Sequence, residues 1–264
     1  MMLTDVQNQI DERNVYLKRV GVKNVRYPIS VFDKTKGNQH TIATLNMFVD
    51  LPKNYRGTHM SRFIEVLNEY HLEIHPKKIR EILHSLKEVL NAKRAVIELE
   101  FPYFILKKAP VTGIESYLEY TCSFEAEIYD EQLDFSSSVS IPIHTLCPCS
   151  KEISDYGAHN QRAICKVTFK SKEMVWFEDV IQIVEESASA PIYTLLKRPD
   201  EKYVTEHAYD NPKFVEDVAR DVAIKLKNCD KISWYKVEVE SYESIHAHNA
   251  FACVTSDEMD KEHS

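Results

Sequence analysis

The sequence predicts an α+β protein of two successive modules, each an antiparallel sheet with paired helices on one face. Three observations point there. Apolar residues alternate with period two over several long stretches, four other segments carry them at helical spacing, and the element order of the first half recurs in the second. Residues 26–32 read as a strand and 40–51 as its partner, alternating through Ile42, Thr44, Asn46 and Phe48, with Gly37-Asn38 supplying the turn. Thr58 has the character of a helix N-cap before Met60, Phe63, Ile64, Val66 and Leu67. A second helix follows Pro76, its stripe formed by Ile79, Ile82, Leu83, Leu86, Val89 and Leu90. Residues 95–106, with Val96, Ile97, Leu99, Phe101 and Phe104, close the first set as a strand.

The second set opens with strands at 117–129, 135–143 and 162–169, the last placing Ala163, Cys165, Val167 and Phe169 on one face. Helices are expected at 176–186 and at 213–227, where Phe214, Val215, Val218, Val222 and Leu226 form the apolar side. A strand at 231–241 ends the set. The expected division is an N-terminal extension at 1–20, a first module at 21–112, a second module at 113–257 carrying most of the functional residues, and a charged tail at 258–264.

Composition narrows the function. At 264 residues with 44% hydrophobic and 28% charged, the chain is of ordinary globular type. Its 33 Lys and Arg against 41 Asp and Glu leave a net charge of -8, which argues against a nucleic-acid partner. The five glycines, Gly21, Gly37, Gly57, Gly113 and Gly157, stand too far apart to write a dinucleotide fingerprint or a P-loop. No apolar run approaches the roughly 18 residues of a membrane span, and residues 1–18 hold no apolar secretory core. A cytoplasmic protein without membrane association is therefore expected. Its cysteines, Cys122, Cys147, Cys149, Cys165, Cys229 and Cys253, then read as buried small residues, metal ligands or nucleophiles rather than a disulfide framework.

The densest chemistry lies in 146–162, where Cys147, Cys149 and His159 share a turn-rich segment between two strands. Cys-x-Cys with no second cysteine pair cannot complete a four-sulfur zinc cage. A catalytic metal needs fewer protein ligands, because one position stays open. Two small buried thiols beside a solvated histidine is the alternative. A second cluster is Glu243, His246 and His248; in extended geometry the two imidazoles face the same way, as ligands, as a proton-transferring pair, or as exposed loop histidines. A third is Ser187 and Ser189 followed by Lys197 and Arg198, groups suited to phosphate oxygens. Asp200 and Glu201 beside them suit a helix start. Glu216 stands out by no pattern, and His59 and Arg62 read as part of a helix start.

Cys147-Pro148-Cys149-Ser150-Lys151-Glu152-Ile153-Ser154, with residues 156–162 (Tyr-Gly-Ala-His-Asn-Gln-Arg), resembles the signature of type IB GTP cyclohydrolases. Segments 57–63, 196–202, 211–217 and 243–248 resemble its other blocks. The resemblance implies a tunnelling fold (T-fold) whose tandem modules assemble into an oligomeric barrel, as a homo-oligomer and by family expectation a tetramer. It implies GTP as substrate and 7,8-dihydroneopterin triphosphate and formate as products, the first step of tetrahydrofolate biosynthesis. Carried over, Cys147, His159 and Glu201 hold a divalent metal (manganese, zinc or iron), Glu216 anchors guanine, and Cys149, Glu243, His246 and His248 surround the reacting centre together with Cys147. Lys197 and Arg198 are the expected triphosphate contacts. The rival readings are a nitrile reductase of queuosine biosynthesis with a thioimide-forming cysteine, and a non-catalytic pterin- or purine-binding module.

Overall fold

The computed structural model describes residues 7, 9–70, 73–74 and 76–259. Parts of the expected extension (1–6 and 8) and of the expected tail (260–264) lie outside the described residues. The chain forms two compact units, Met1–Pro102 with Ser123–Ser136, and Tyr103–Cys122 with Ser137–Ser264. Neither unit is contiguous, because three long strands each contribute to both.

In the first unit, β1 (Leu17–Asp33) and β2 (Gly37–Leu51) pair antiparallel from Leu17↔Leu51 to Asp33↔Gly37. The turn falls at 34–36, ahead of the expected Gly37-Asn38: Gly37, at φ +82, closes it opposite Asp33, and Asn38 already pairs with Phe32 in the ladder. The Asp33 carboxylate accepts from the N–H groups of Thr35 (2.8 Å) and Lys36 (2.7 Å). β1 starts inside the expected extension, and its register slips between Leu17 and Val20 and again between Val22 and Val25. A Cβ on Gly21 would overlap the Met47 carbonyl. β2 buries Ala43, Leu45, Met47 and Val49, while Ile42 is 49% exposed. Alternation thus locates the strand, but the inward face is the one whose apolar run is unbroken by Thr44 and Asn46.

Helix α1 (Met60–Glu69) begins from His59 rather than Thr58, without a side-chain capping bond. Thr58 is itself buried. β3 (Glu73–Ile74) pairs parallel with β1, and α2 (Pro76–Val89) buries Ile79, Ile82, Leu83 and Leu86 but leaves Val89 exposed. Arg62 reaches over to donate to the Val89 carbonyl (2.9 Å). β4 (Arg94–Lys108) lies beside β2, followed by β5 (Glu115–Tyr129) and β6 (Gln132–Leu146), whose connecting residues Asp130 and Glu131 both take positive φ.

The second unit adds α3 (Pro148–Ile153), β7 (Asn160–Ser171), α4 (Phe177–Glu185), β8 (Ala190–Pro191), α5 (Arg198–Asp210), α6 (Val215–Lys227), β9 (Ile232–Ser241), β10 (Ala250–Thr255) and α7 (Ser256–Met259). β7 lies antiparallel between β6 and β9, and β10 edges β9. Ala163, Cys165, Val167 and Phe169 are buried, as their alternation predicts, with Val237 and Val239 of β9 and the apolar faces of α4 and α6. Burial pushes the Cys165 thiol up to about 12. The helix start expected at Asp200 and Glu201 is the first turn of α5, but the extent of the helix is not predicted, because it has almost no apolar stripe. Only Asp200 and Ala208 are buried in it, and Asp200 holds its start. No helix among the described residues is long and apolar enough to cross a membrane.

Candidate active site

The β6–β7 ladder reaches Leu146↔Asn160, and one step further the Cys147 N–H donates to the His159 carbonyl (3.1 Å). The residues that carry thiol and imidazole, twelve positions apart in sequence, are thereby held opposite each other at the end of the ladder, and both line the same pocket. Cys147 caps α3, its Sγ accepting from the Ser150 N–H (3.4 Å). The Ser150 hydroxyl donates to the Cys147 carbonyl (3.3 Å) and accepts from the His159 N–H (3.1 Å). Gly157, at φ +112, permits the return of the chain to β7.

A second wall comes from the end of β9. Tyr242 N–H donates to the Arg162 carbonyl (3.0 Å), after which the chain bends through 244–248 into β10. His246 and His248 meet there as stacked rings, centroids 5.1 Å apart and planes 19° apart. They converge through a bend rather than through strand alternation, so the expected pairing holds for a different geometric reason. His246 also stands edge-on to His159 at 6.4 Å. The third wall is the start of α6: Lys213 N–H donates to the Leu146 carbonyl (3.1 Å), and its ammonium pairs with Asp221 (2.6 Å).

These walls enclose a pocket of about 320 Å³ in the second unit. Of the residues singled out in sequence, Cys147, Cys149, His159, Glu216, Glu243, His246 and His248 line it together. Glu201, Lys197 and Arg198 do not. Glu201 is exposed in the first turn of α5, and Lys197 caps that helix. Asp200 is fully buried, accepting from the N–H groups of Lys197, Val111 and Thr112 and from the Thr112 hydroxyl, a set that holds its carboxyl well below the usual range. Ser187 and Ser189 are buried as well, Ser187 donating to the Ile183 carbonyl (2.8 Å) and Ser189 accepting from the Leu146 N–H (3.1 Å). They brace the scaffold instead of facing a phosphate. Among the described residues, no three of His, Cys, Asp and Glu stand together as a metal-holding group.

Sequence reasoning passed over Thr145, Gln161, Lys213 and Ser241, which also line the pocket. Gln161 follows His159 by two positions on β7, and Lys213 lies just ahead of α6; each belonged to a recognised segment without a role. A larger cavity of about 520 Å³ holds none of these groups. Its charged floor is closed on itself: the Lys107 ammonium, pushed below its usual range by burial, pairs with Glu185 (2.7 Å), which also accepts from the Tyr120 hydroxyl (2.8 Å). The smaller pocket is where thiols, imidazoles and carboxylates converge, which makes it the candidate site.

Residues 3–252 match the family described as type I GTP cyclohydrolase folE2. The chain belongs to that family. FolE2 proteins similar to it include the GTP cyclohydrolase FolE2 of Fervidobacterium nodosum, 79% identical over 98% of this chain and 100% of that one. That of Thermosipho africanus is 63% identical over 98% and 100%, and that of a Geobacter species 53% identical over 96% and 94%. Among solved structures, a hyperthermostable urate oxidase variant from Bacillus sp. TB-90 covers 92% of this FolE2 chain and 99% of its own, with a TM-score of 0.53 at 10% identity. At that identity the likeness speaks for the fold alone: an α+β chain with a large antiparallel sheet.

Proposed function

We infer that the chain is a GTP cyclohydrolase I, hydrolysing GTP to 7,8-dihydroneopterin triphosphate and formate at the head of tetrahydrofolate biosynthesis, and that the reaction takes place in the pocket of Cys147, His159 and Glu243. The convergence of these three side chains with Glu216, His246 and His248, within a chain of the FolE2 family, carries the reading.

Glu216, in the first turn of α6, presents a carboxylate to the pocket. One carboxylate accepts from both N1–H and the exocyclic amine of guanine, a pair of donors adenine lacks. His246 and His248 hold the protons the reaction needs: one donates at N7, making C8 electrophilic, and the other protonates the nitrogen released as the imidazole ring opens. Cys149 and Glu243 bound the same space. Lys213 is the lysine lining the pocket, so phosphate contacts by Lys197 and Arg198 require those groups to act from outside it.

Cys147 and His159 fit a divalent cation of borderline softness, manganese, zinc or iron, because they offer sulfur and nitrogen side by side. Glu201 completes the proposed ligand set on the family resemblance. Such a cation, when bound, supplies the Lewis acidity that ionises water near neutral pH. The proposal extends to tandem tunnelling-fold modules assembled as a homotetrameric barrel in the cytoplasm. Exposed apolar side chains on the pocket's own segments, Ile153 at 84%, Tyr156 at 99% and Ile245 at 64%, support burial by a second copy.

The deciding experiment measures formate and, after oxidation, a fluorescent pterin from metal-loaded protein and GTP. Cys147→Ala and His159→Ala abolish turnover and lower bound metal. Glu201→Ala does the same if it is the third ligand, and undiminished metal in that variant would hand the position to another carboxylate. NADPH consumption without formate would favour the nitrile reductase reading, and ligand binding without turnover the non-catalytic one.

A further inference from the structure

Gln161 stands where three groups of the pocket, His159, Glu243 and Thr145, meet the Ser244 hydroxyl. Its side-chain oxygen accepts from His159 Nδ1 (3.0 Å) and from the Ser244 hydroxyl (3.4 Å). Its amide nitrogen donates to Glu243 Oε1 (3.2 Å) and to Thr145 Oγ1 (3.4 Å). Glu243 Oε1 also accepts from the Ser241 hydroxyl (2.9 Å), and Glu243 Oε2 lies 4.0 Å from His159 Nδ1. The backbone of Gln161 is fixed opposite Thr145 in the β6–β7 ladder, so the amide's position is set by the sheet rather than by a loop. His159 and Glu243 side chains are only 13% and 11% exposed, which limits the water able to substitute for these bonds.

A primary amide donates and accepts from neighbouring atoms. Its oxygen accepts only, so the ring of His159 must carry its proton on Nδ1, leaving the Nε2 lone pair unprotonated. Its nitrogen donates only, which fixes Glu243 as the acceptor. We propose that Gln161 is a positioning residue: it locks His159 in the Nδ1–H tautomer that a cation requires, and with the same amide it orients Glu243. The proposal rests on the placement of the reaction in this pocket.

The two halves of the amide are separable by substitution. Gln161→Glu keeps an acceptor for His159 but cannot donate to Glu243 and sets a like charge against it. Gln161→Leu removes both. In full-length metal-free protein labelled with 15N-histidine, long-range proton–nitrogen correlation at a pH where the ring is neutral shows His159 protonated on Nδ1. Gln161→Leu shifts that signal toward the exchanging pattern of a free imidazole and weakens manganese binding by about 10–100-fold, the usual effect of losing such an outer partner. Gln161→Glu keeps the Nδ1–H signal and metal affinity within a few-fold of the parent, while kcat falls and KM for GTP holds. Retention of the Nδ1–H signal in Gln161→Leu overturns the proposal, and so does a loss of metal affinity in Gln161→Glu as deep as in Gln161→Leu. Should Gln161→Leu fail to fold by circular dichroism, the near-isosteric Gln161→Glu decides by itself: parental tautomer and metal affinity support the assignment, and loss of either refutes it. The tautomer is read without turnover, so a parent inactive on GTP would overturn the functional reading while leaving this result standing.

Discussion

Replacing Lys107 by methionine isolates the charged floor of the larger cavity. The ammonium lies 2.7 Å from Glu185 Oε1, donates to the Ile192 carbonyl at 2.9 Å and sits 4.5 Å over the Tyr193 ring. At an effective dielectric of about 20, unit charges at that separation attract by about 6 kcal/mol. Desolvation of several kcal/mol per ion offsets most of this, so the intact pair contributes little net stability. Breaking it is another matter. Methionine fills a similar volume but leaves Glu185, whose side chain is 15% exposed, with only the Tyr120 hydroxyl as donor. Loss of one partner from a buried pair costs about 3–5 kcal/mol, and the residual exposure and surviving hydroxyl place this case near about 3 kcal/mol. Adding Glu185→Gln removes the stranded charge and keeps an acceptor for Tyr120, so the double variant should recover about 2 kcal/mol of that loss. Urea unfolding with fluorescence and circular dichroism in parallel measures both, provided the two probes coincide. A single variant within about 0.5 kcal/mol of the parent, or a double variant as unstable as the sum of the singles, would refute the argument.

Burial, reinforced by Glu185, pushes the Tyr120 hydroxyl far above the usual tyrosine range. A folded-state value above the unfolded one means stability in full below about pH 10 and lost as pH climbs beyond it, by up to about 1.4 kcal/mol per pH unit. Lys107, shifted down by burial, acts in the opposite sense up to about pH 10.5. Thermal melts between about pH 9 and 11 should show a shallower alkaline loss in Tyr120→Phe, and parallel curves would count against the shift. Gly21→Ala forces β1 away from the Met47 carbonyl and should cost about 1–3 kcal/mol in urea unfolding, with an unchanged midpoint as the contrary result. His246→Ala should lower turnover more than metal content. Stoichiometric loss of the ion would make His246 a ligand instead.

Strands with one clean apolar face were legible in the sequence: Ala163, Cys165, Val167 and Phe169 fall inward as written. β2 shows the limit, because both of its faces carry apolar residues and only the unbroken one is buried. α5 was legible only at its start, through Asp200 and Glu201, because the rest is polar nearly all round and shows no stripe. The pocket was legible as words before it was legible as a shape. Cys147, His159, Glu243, His246 and His248 were marked by residue type, whereas Glu216 came only by resemblance, since nothing in helical periodicity separates it from a solvated charge. Gln161 went unassigned because an amide carries no titratable signal, and its hydrogen bonds to Thr145 on β6 and to Glu243 and Ser244 beyond β9 appear only in the folded chain.

The bond from the Cys147 amide to the His159 carbonyl ties off the excursion 148–158 at its neck. Cys147 and His159 therefore stand at the end of the sheet's framework, and the intervening stretch hangs from it like a pendant while still bringing Cys149 to the same pocket. Its outer residues, Ile153 at 84% and Tyr156 at 99% exposure, can meet a neighbouring surface without disturbing the framework bond behind them.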